Sequence, residues 1–221
     1  MDLLKDFISI SEDLGVSSAS VVFDLDVRPN PEVLSPKELD IYSRFTSPKR
    51  KYEFIAGKIA CKKAFFKSIS GEKDSFEKFP FVSVLNEESG APFVENSDLF
   101  VSVSHSHEIA IASVSNHKVG VDIEQINPKR ISALKRMSAE YPSEDICDLT
   151  ALWTLKESLG KALRTGIIEN FSLYDTQNLR YENGVYHCDF KNFPSYSGTA
   201  ITNGRYVIAI VKGHHKLQIS K

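Results

Sequence analysis

The stretch VGVDIE, residues 119–124, combines a buried-strand pattern with two carboxylates. Successive side chains of a β-strand point to opposite faces of the sheet, so Asp122 and Glu124 are expected on the same face. Two like charges placed side by side repel each other. The stretch therefore predicts a strand with two like charges on one face, and a bound cation is one way to offset their repulsion.

A fainter copy of this pattern occurs near the N-terminus. VVFDLD, residues 21–26, resembles VGVDIE, and each is followed by proline-led helical sequence and then by a long helix. The two long helices align as FIAGKIACKKAF (54–65) and WTLKESLGKALR (153–164). Chance similarity of two amphipathic helices is one explanation. The other is a duplicated unit folded as a pseudo-dimer.

Local patterns predict helices and strands in mixed order, which favours an α+β fold. Helices are expected at about 35–45, at 49–68, after Pro128, and from a cap at Ser143 to Gly166. Strands are expected at 21–27, 81–85, 100–104, 109–114, 119–124, 171–174, 185–190, 198–202 and 206–211. We expect two similar lobes, an N-terminal lobe at 1–117 and a C-terminal lobe at 118–221 that carries the metal site.

Composition narrows the class of protein. The 221 residues are 42% hydrophobic and 25% charged, which is typical of a globular chain, and the net charge of -2 does not favour nucleic-acid binding. The three cysteines are far apart, so we expect no disulfide framework and a reducing compartment. The N-terminus lacks a signal-peptide pattern and no run is long enough to span a bilayer, so we expect a cytoplasmic protein without membrane contact.

A third carboxylate, Glu157, lies on the second long helix within WTLKESLGKAL. If it meets Asp122 and Glu124, the three oxygens form a site suited to Mg²⁺. Lys161 shares a helix face with Glu157 and could hold a phosphate beside that metal. The alternative is an exposed strand end for the first pair and an ordinary surface salt bridge between Glu157 and Lys161.

Two further stretches could bind anions. SVSHSHE, residues 102–108, offers a hydroxyl beside an imidazole, a reasonable phosphate clamp, whereas zinc lacks a third ligand at a suitable spacing. KRKYEFIAGKIACKKAFFK, residues 49–67, carries many basic side chains and one acid, Glu53. The basic helix is either a solvated face or an anion-binding surface.

Taken together, these stretches resemble the signature of the 4′-phosphopantetheinyl transferases. VGVDIE followed some thirty residues later by WTLKESLGKAL is the specific combination, and SVSHSHEIAIASV and KRKYEFIAGKIACKKAF are similar to two further family segments. The chain length and motif order resemble the two-lobed type that activates peptide and polyketide synthetases. The similarity covers about residues 35–171.

The resemblance implies an enzyme that transfers the phosphopantetheine arm of coenzyme A to a serine of an apo acyl or peptidyl carrier protein, with Mg²⁺, releasing adenosine 3′,5′-bisphosphate. It implies Glu157 and Lys161 as catalytic residues, with Glu157 accepting the serine proton directly or through a metal-bound water. The implied Mg²⁺ ligands are Asp122, Glu124 and Glu157. The implied coenzyme A contacts are Arg50, Lys58, Ser104, His105, Lys156 and Lys161. The carrier is expected to bind transiently to a monomer.

Two positions depart from the family pattern. Ala91, in GAPF, stands where many members have a basic residue, which puts one phosphate contact in question. Arg164 stands at the usual first glycine of the turn after the long helix, although Gly166 is present. The alternative functions are a different Mg²⁺-dependent phosphoesterase or nuclease, and a non-catalytic relative that binds coenzyme A or a carrier.

Overall fold

The computed structural model describes residues 2–24, 30–71, 76–168 and 170–214. The α-helices are α1 (Leu3–Asp13), α2 (Pro36–Ser43), α3 (Pro48–Ser70), α4 (Ile131–Met137) and α5 (Ile146–Leu163). The strands are β1 (Ser17–Val22), β2 (Val84–Asn86), β3 (Pro92–Val94), β4 (Phe100–Ser106), β5 (Ile109–Ser115), β6 (Val119–Gln125), β7 (Thr176–Glu182), β8 (Val185–Phe190), β9 (Tyr196–Thr202) and β10 (Tyr206–Gly213). Short 3₁₀ turns lie at Pro31–Val33, Phe76–Phe81, Pro128–Arg130 and Phe171–Tyr174.

The strands form two five-stranded antiparallel sheets with the same internal order. The first is β1-β5-β4-β3-β2 and the second is β6-β10-β9-β8-β7. In each sheet the first strand in sequence is followed by a long helix, α3 or α5, and then pairs with the last strand. This repeated topology confirms the expected α+β pseudo-dimer.

Each long helix packs its apolar side on its own sheet. Around α3 the buried core includes Ile55, Ala60 and Phe66. Around α5 it includes Leu155 and Leu159. Burial of such apolar side chains is the main favourable term that holds a helix on a sheet.

A third apolar cluster joins the two units. It contains Leu3 and Phe7 from α1, Ile111 from the first sheet, and Val121 and Ile208 from the second. Close by, the β6 backbone N–H of Val121 donates a 3.0 Å hydrogen bond to the β4 side chain of Ser102. The neighbouring strands β4 and β6 therefore bring residues of both units to one place.

Helix α5 begins with Asp145, whose carboxylate accepts a 2.6 Å hydrogen bond from the backbone N–H of Cys147. It crosses β6 in very close contact at Gly120. A Cβ atom there would lie 1.8 Å from the carbonyl oxygen of Ser158 and 2.5 Å from the backbone nitrogen of Ala162. A glycine is therefore required for the helix to reach the strand that carries Asp122.

Several predicted elements are placed differently. The strand expected at 21–27 is β1, which ends at Val22, and residues 25–27 lie outside the described part. The strand expected at 81–85 begins at Val84, because Phe81 closes a 3₁₀ turn, and 171–174 is also a 3₁₀ turn. The cap of α5 is Asp145 rather than Ser143, whose hydroxyl accepts a hydrogen bond from the N–H of Asp145. The helix ends at Leu163, ahead of Gly166.

Candidate active site

Asp122 lies at the centre of the candidate site, on β6. Its side chain is buried, with 5% of the residue exposed. Oδ1 accepts hydrogen bonds of 2.7 Å from the hydroxyl of Ser104 and 2.7 Å from the ammonium of Lys161. Oδ2 is buried and has no hydrogen-bond partner. A buried carboxylate oxygen without a partner is costly, so this oxygen favours a cation or donor supplied from outside the chain.

Glu157 lies on α5, one turn before Lys161. It is half-buried, and burial together with the charge of Asp122 raises the pKa of its carboxyl to about 7, although Lys161 opposes the rise. The ion pair that Lys161 forms is with Asp122 rather than with Glu157. The surface salt bridge considered for Glu157 and Lys161 is therefore not the arrangement that the fold adopts, and Asp122 does not lie at an exposed strand end.

Glu124 is oriented by two donors. The indole Nε1 of Trp153 donates to Oε1 over 3.2 Å, and the guanidinium of Arg130 donates to Oε2 over 2.9 Å. Burial and the charge of Asp122 raise the pKa of the Glu124 carboxyl, while Arg130 and Trp153 oppose the rise. Asp122 and Glu124 are therefore close enough to repel each other, as the alternation of VGVDIE predicts.

These residues fit a divalent cation in their chemistry. Asp122 contributes an unpartnered buried oxygen, and the charges of Asp122 and Glu124 both raise the pKa of Glu157. A hard cation such as Mg²⁺ takes carboxylate oxygens and relieves this repulsion. Within the described ranges, however, no three His, Cys, Asp or Glu side chains form a ready-made metal cluster. The three carboxylates are thus neighbours that a bound cation would draw together.

A separate cavity of about 150 Å³ opens beside this group and is lined by basic side chains from α3 and β4. Lys58 is buried there, and its ammonium donates a 2.6 Å hydrogen bond to the carbonyl oxygen of Val84. Arg50 and His105 line the same cavity together with Glu53. The structure therefore brings three of the predicted phosphate contacts into one pocket.

The ionisation of this pocket is set by burial. Burial lowers the pKa of the Lys58 ammonium. Burial also lowers the pKa of the His105 imidazole, with smaller contributions from the nearby charges of Lys161 and Arg50, while Glu53 opposes the shift. A dianionic ligand would favour the protonated forms of both groups.

Lys156 lies neither beside the three carboxylates nor in the basic pocket. Its side chain is buried, and its ammonium donates to the carbonyl of Met137 over 2.7 Å and pairs with Glu140 at 2.9 Å and Asp175 at 3.3 Å. Positions 156 and 161 are five residues apart, about 140° past a full turn, so they face different directions. This placement lends no support to the prediction that Lys156 binds the cofactor, and the proposed site does not include it.

Two residues that orient the site were not predicted from the sequence. They are Trp153 and Arg130, which both donate to Glu124. The spacing WTLKE places Trp153 one turn before Glu157, which is the only signal that could have identified it. Arg130 lies in a 3₁₀ turn after β6, and nothing local in the sequence indicates its contact with Glu124.

Comparisons with known proteins indicate the family of this chain. Residues 118–211 match the model of the 4′-phosphopantetheinyl transferase superfamily. The holo-[acyl-carrier-protein] synthase of Enterococcus faecalis is 41% identical over 86 residues, which are 37% of this chain and 72% of that protein. The 4′-phosphopantetheinyl transferase gsp of Aneurinibacillus migulanus is 27% identical over 145 residues, 61% of this chain and 57% of that protein.

A solved holo-(acyl-carrier-protein) synthase from Bacillus anthracis, in complex with CoA (3′,5′-ADP), is 26% identical and superposes with a TM-score of 0.37. The match covers 45% of this chain and 91% of that structure.

The fold and the site define a two-lobed α+β protein with a carboxylate-rich centre. The chain belongs to the 4′-phosphopantetheinyl transferase superfamily. The resemblance stated from the sequence is thereby confirmed, as is the prediction of an enzyme of this class. In the part of the chain that the structure describes, no helix is long and apolar enough to cross a membrane.

Proposed function

We propose that the protein transfers the 4′-phosphopantetheine arm of coenzyme A to a serine hydroxyl of an apo acyl or peptidyl carrier protein. The serine oxygen forms a bond to the phosphorus that carries the pantetheine arm. The bond from that phosphorus to the adenosine-bearing phosphate breaks, and adenosine 3′,5′-bisphosphate leaves. The serine proton passes to a base on the enzyme.

The observation that carries this proposal is the arrangement of Glu157, Asp122 and Lys161. In the metal-free protein, burial and the charge of Asp122 raise the pKa of Glu157 to about 7, and its carboxylate form can accept a proton as a general base. Lys161 lies one turn away with its ammonium 2.7 Å from Asp122. A carboxylate base and a lysine ammonium on one helix face suit the attack of a hydroxyl group on a pyrophosphate.

Asp122, Glu124 and Glu157 would hold Mg²⁺. When bound, the ion polarises the pyrophosphate of coenzyme A and offsets its charge. Asp122 is positioned for this role by Ser104, and Glu124 by Trp153 and Arg130. Lys161 stabilises the negative charge that develops on the leaving bisphosphate.

The pocket of Arg50, Lys58 and His105 would take the nucleotide phosphates of coenzyme A, with Ser104 on the adjoining strand. An ammonium has three donors. Lys58 uses one on Val84, and the others remain for an anion. Ala91 adds no charge here, so the pocket relies on α3 and β4 for its positive groups.

We further propose that the lobes meet at residues 117 and 118, and that the chain acts as a monomer with a transiently bound carrier. The matching sheet orders support this division. All three cysteines are free thiols, which supports function in the reducing cytoplasm. Nucleic acid has no part in the proposed function.

The test is incubation of the protein with coenzyme A, Mg²⁺ and a panel of apo-carriers, read by the intact mass of each carrier. A gain of one phosphopantetheine arm on at least one carrier is expected, and chelation of the metal should abolish it. A carrier with its serine replaced by alanine is the control. Hydrolysis of simple phosphodiesters without any arm transfer would instead support a phosphoesterase.

A further inference from the structure

Arg164, the residue that follows the last residue of α5, adopts a backbone conformation that favours glycine. Its φ is 64°, in the left-handed region that residues with a side chain rarely adopt. Such a residue is kept where its side chain has a use that offsets the strain. Its side chain is 18% exposed, so the guanidinium is held against the protein rather than extended into solvent.

The guanidinium of Arg164 crosses from the second unit to the first. One terminal nitrogen lies 2.7 Å from Oε1 of Glu87 and donates to the carbonyl oxygen of Pro92 over 3.1 Å. Nε donates to Oε2 of Glu87 over 3.3 Å. Two parallel contacts to one carboxylate fix both the distance and the angle between the partners.

The partners of Arg164 belong to the β2–β3 hairpin, whose Val84 and Val94 are buried in the core of the first unit. β2 is the edge strand of its sheet, and β3 is paired with β4 through the single residue pair Phe93 and Phe100. Val84 is fixed from the first unit, since its carbonyl accepts a hydrogen bond from Lys58 and its N–H donates one to Glu38 over 2.9 Å. Arg164 adds a contact from the end of α5 to the turn and to β3.

The same hairpin forms a wall of two cavities. Asn86 and Pro92 line the basic pocket that contains Lys58. They also line a neighbouring cavity of about 210 Å³ that contains Lys161 and Arg164. The position of the hairpin therefore sets the shape of the basic pocket and of the space beside Lys161 together.

We propose that Arg164 and Glu87 form a latch between α5 and the β2–β3 hairpin, and that the latch positions the hairpin for coenzyme A binding. This inference rests on the proposed function of the neighbouring pocket. Arg164 is a positioning residue, because its guanidinium is occupied by Glu87 and Pro92. Loss of the latch should weaken binding of coenzyme A and leave the chemical step nearly unchanged.

The rival role for Arg164 is direct binding of a phosphate. In that case Glu87 is dispensable, and a negative charge at position 164 is harmful whatever stands at position 87. If the two residues form a latch, coenzyme A binding depends only on opposite charges at positions 87 and 164. Reversal of both charges therefore separates the two roles.

The experiment compares Arg164→Gly, Glu87→Gln and the double variant Glu87→Arg/Arg164→Glu. Glycine suits the backbone of position 164, so Arg164→Gly is expected to fold. Asn183→Gly is the matched control, since Asn183 also has a positive φ, 53°, and is exposed. Amide hydrogen exchange of residues 84–94 is measured without ligand, and the affinity for coenzyme A is measured by calorimetry.

Arg164→Gly and Glu87→Gln should speed exchange of the hairpin and weaken coenzyme A binding by about three- to tenfold, as expected for a partly buried bidentate pair, with kcat within about twofold. The double variant with both charges reversed should restore the slow exchange of the hairpin and the affinity for coenzyme A. Unchanged hairpin exchange in Arg164→Gly, or a double variant that binds as weakly as the single ones, would overturn the latch. Exchange is measured without coenzyme A, so a wild type that transfers nothing would refute the proposed function and not the latch.

Discussion

The ammonium of Lys161 lies 2.7 Å from Oδ1 of Asp122, while Oδ2 of the same carboxylate is buried without a partner. One oxygen is thus neutralised by the chain itself and the other is left for an external cation. This relationship answers the problem raised by two carboxylates on one face of β6. The repulsion is offset in part by Lys161 and Arg130, and the proposed Mg²⁺ would offset it further.

The first prediction concerns the metal. Mg²⁺ that binds only the folded state should raise the Tm of the wild type in a concentration-dependent manner. Asp122→Asn should lose most of this shift, because the unpartnered oxygen is the one expected to bind the ion. Thermal melts with increasing Mg²⁺ measure the effect, and Asp98→Asn, at an exposed position, is the control. An equal shift in Asp122→Asn and wild type would remove Asp122 from the metal site.

The second prediction concerns the basic pocket. Dephospho-coenzyme A should bind more weakly than coenzyme A, since each lost charge-assisted hydrogen bond costs about 1.5–3 kcal/mol, roughly a 10- to 100-fold change in Kd. Lys58→Met should weaken coenzyme A binding and narrow the difference between the two ligands. Lys191→Met, at an exposed position, is the matched control. Calorimetry that gives equal affinities for both ligands would rule out a 3′-phosphate in this pocket.

The third prediction concerns the contact of α5 with β6. Gly120→Ala places a methyl group 1.8 Å from the Ser158 carbonyl, so the helix must move away from the strand. We expect a loss of about 3 kcal/mol or more in the free energy of unfolding, the upper range for overpacking. Urea denaturation measures it, with Gly204→Ala as a control because nothing lies within 4 Å of the added carbon there. The control should lose only the stability that corresponds to the strain of a side chain at a φ of 80°.

The fourth prediction concerns pH and stability in metal-free protein. Burial and Asp122 raise the folded pKa of Glu157 to about 7, above its ordinary value of 4.5. Between these two values the folded state holds a proton that the unfolded state has lost, so the stability falls as the pH rises. Glu157→Gln removes this effect and should raise the Tm at pH 8 by a few degrees, roughly 2–4 °C per kcal/mol for a chain of this size.

At pH 4 the wild type and Glu157→Gln should melt at nearly the same temperature, because the carboxyl is protonated in both the folded and the unfolded states. The comparison requires a chelator, since bound metal would stabilise the carboxylate form. A gain in Tm that is as large at pH 4 as at pH 8 would show that ionisation of Glu157 is not the cause.

The long elements of the fold could be predicted from the sequence because their patterns are local. The strands β4, β5, β6 and β8 and the helix α3 follow from apolar alternation or from a proline-led cap, and the repeated order of the two sheets follows the faint repeat. The short strand β3 and the helix α1 were not predicted. β3 depends on its partner strands, and α1 is a short helix in which only Leu3, Phe7 and Ser11 are buried.

The candidate site was predictable where side chains share one element. Asp122 and Glu124 share a strand face, and Glu157 and Lys161 share a helix face. The partner of Lys161 was not predictable, because the close crossing at Gly120 brings Asp122 nearer than the helix neighbour. Sequence proximity to Glu157 does not place Lys156 on the same helix face. Its ammonium instead pairs with Glu140 and Asp175.

The central claim is that Glu157 is the base for transfer and that Lys161 serves the phosphates. The most direct measurement is the single-turnover rate of arm transfer to one apo-carrier, with saturating coenzyme A and Mg²⁺, for wild type, Glu157→Gln and Lys161→Ala. Glu157→Gln should bind coenzyme A within about threefold of wild type and lose about 10²–10⁴-fold in rate, the usual contribution of a general base. Lys161→Ala should lose both affinity and rate. Transfer by Glu157→Gln at close to the wild-type rate would contradict the account.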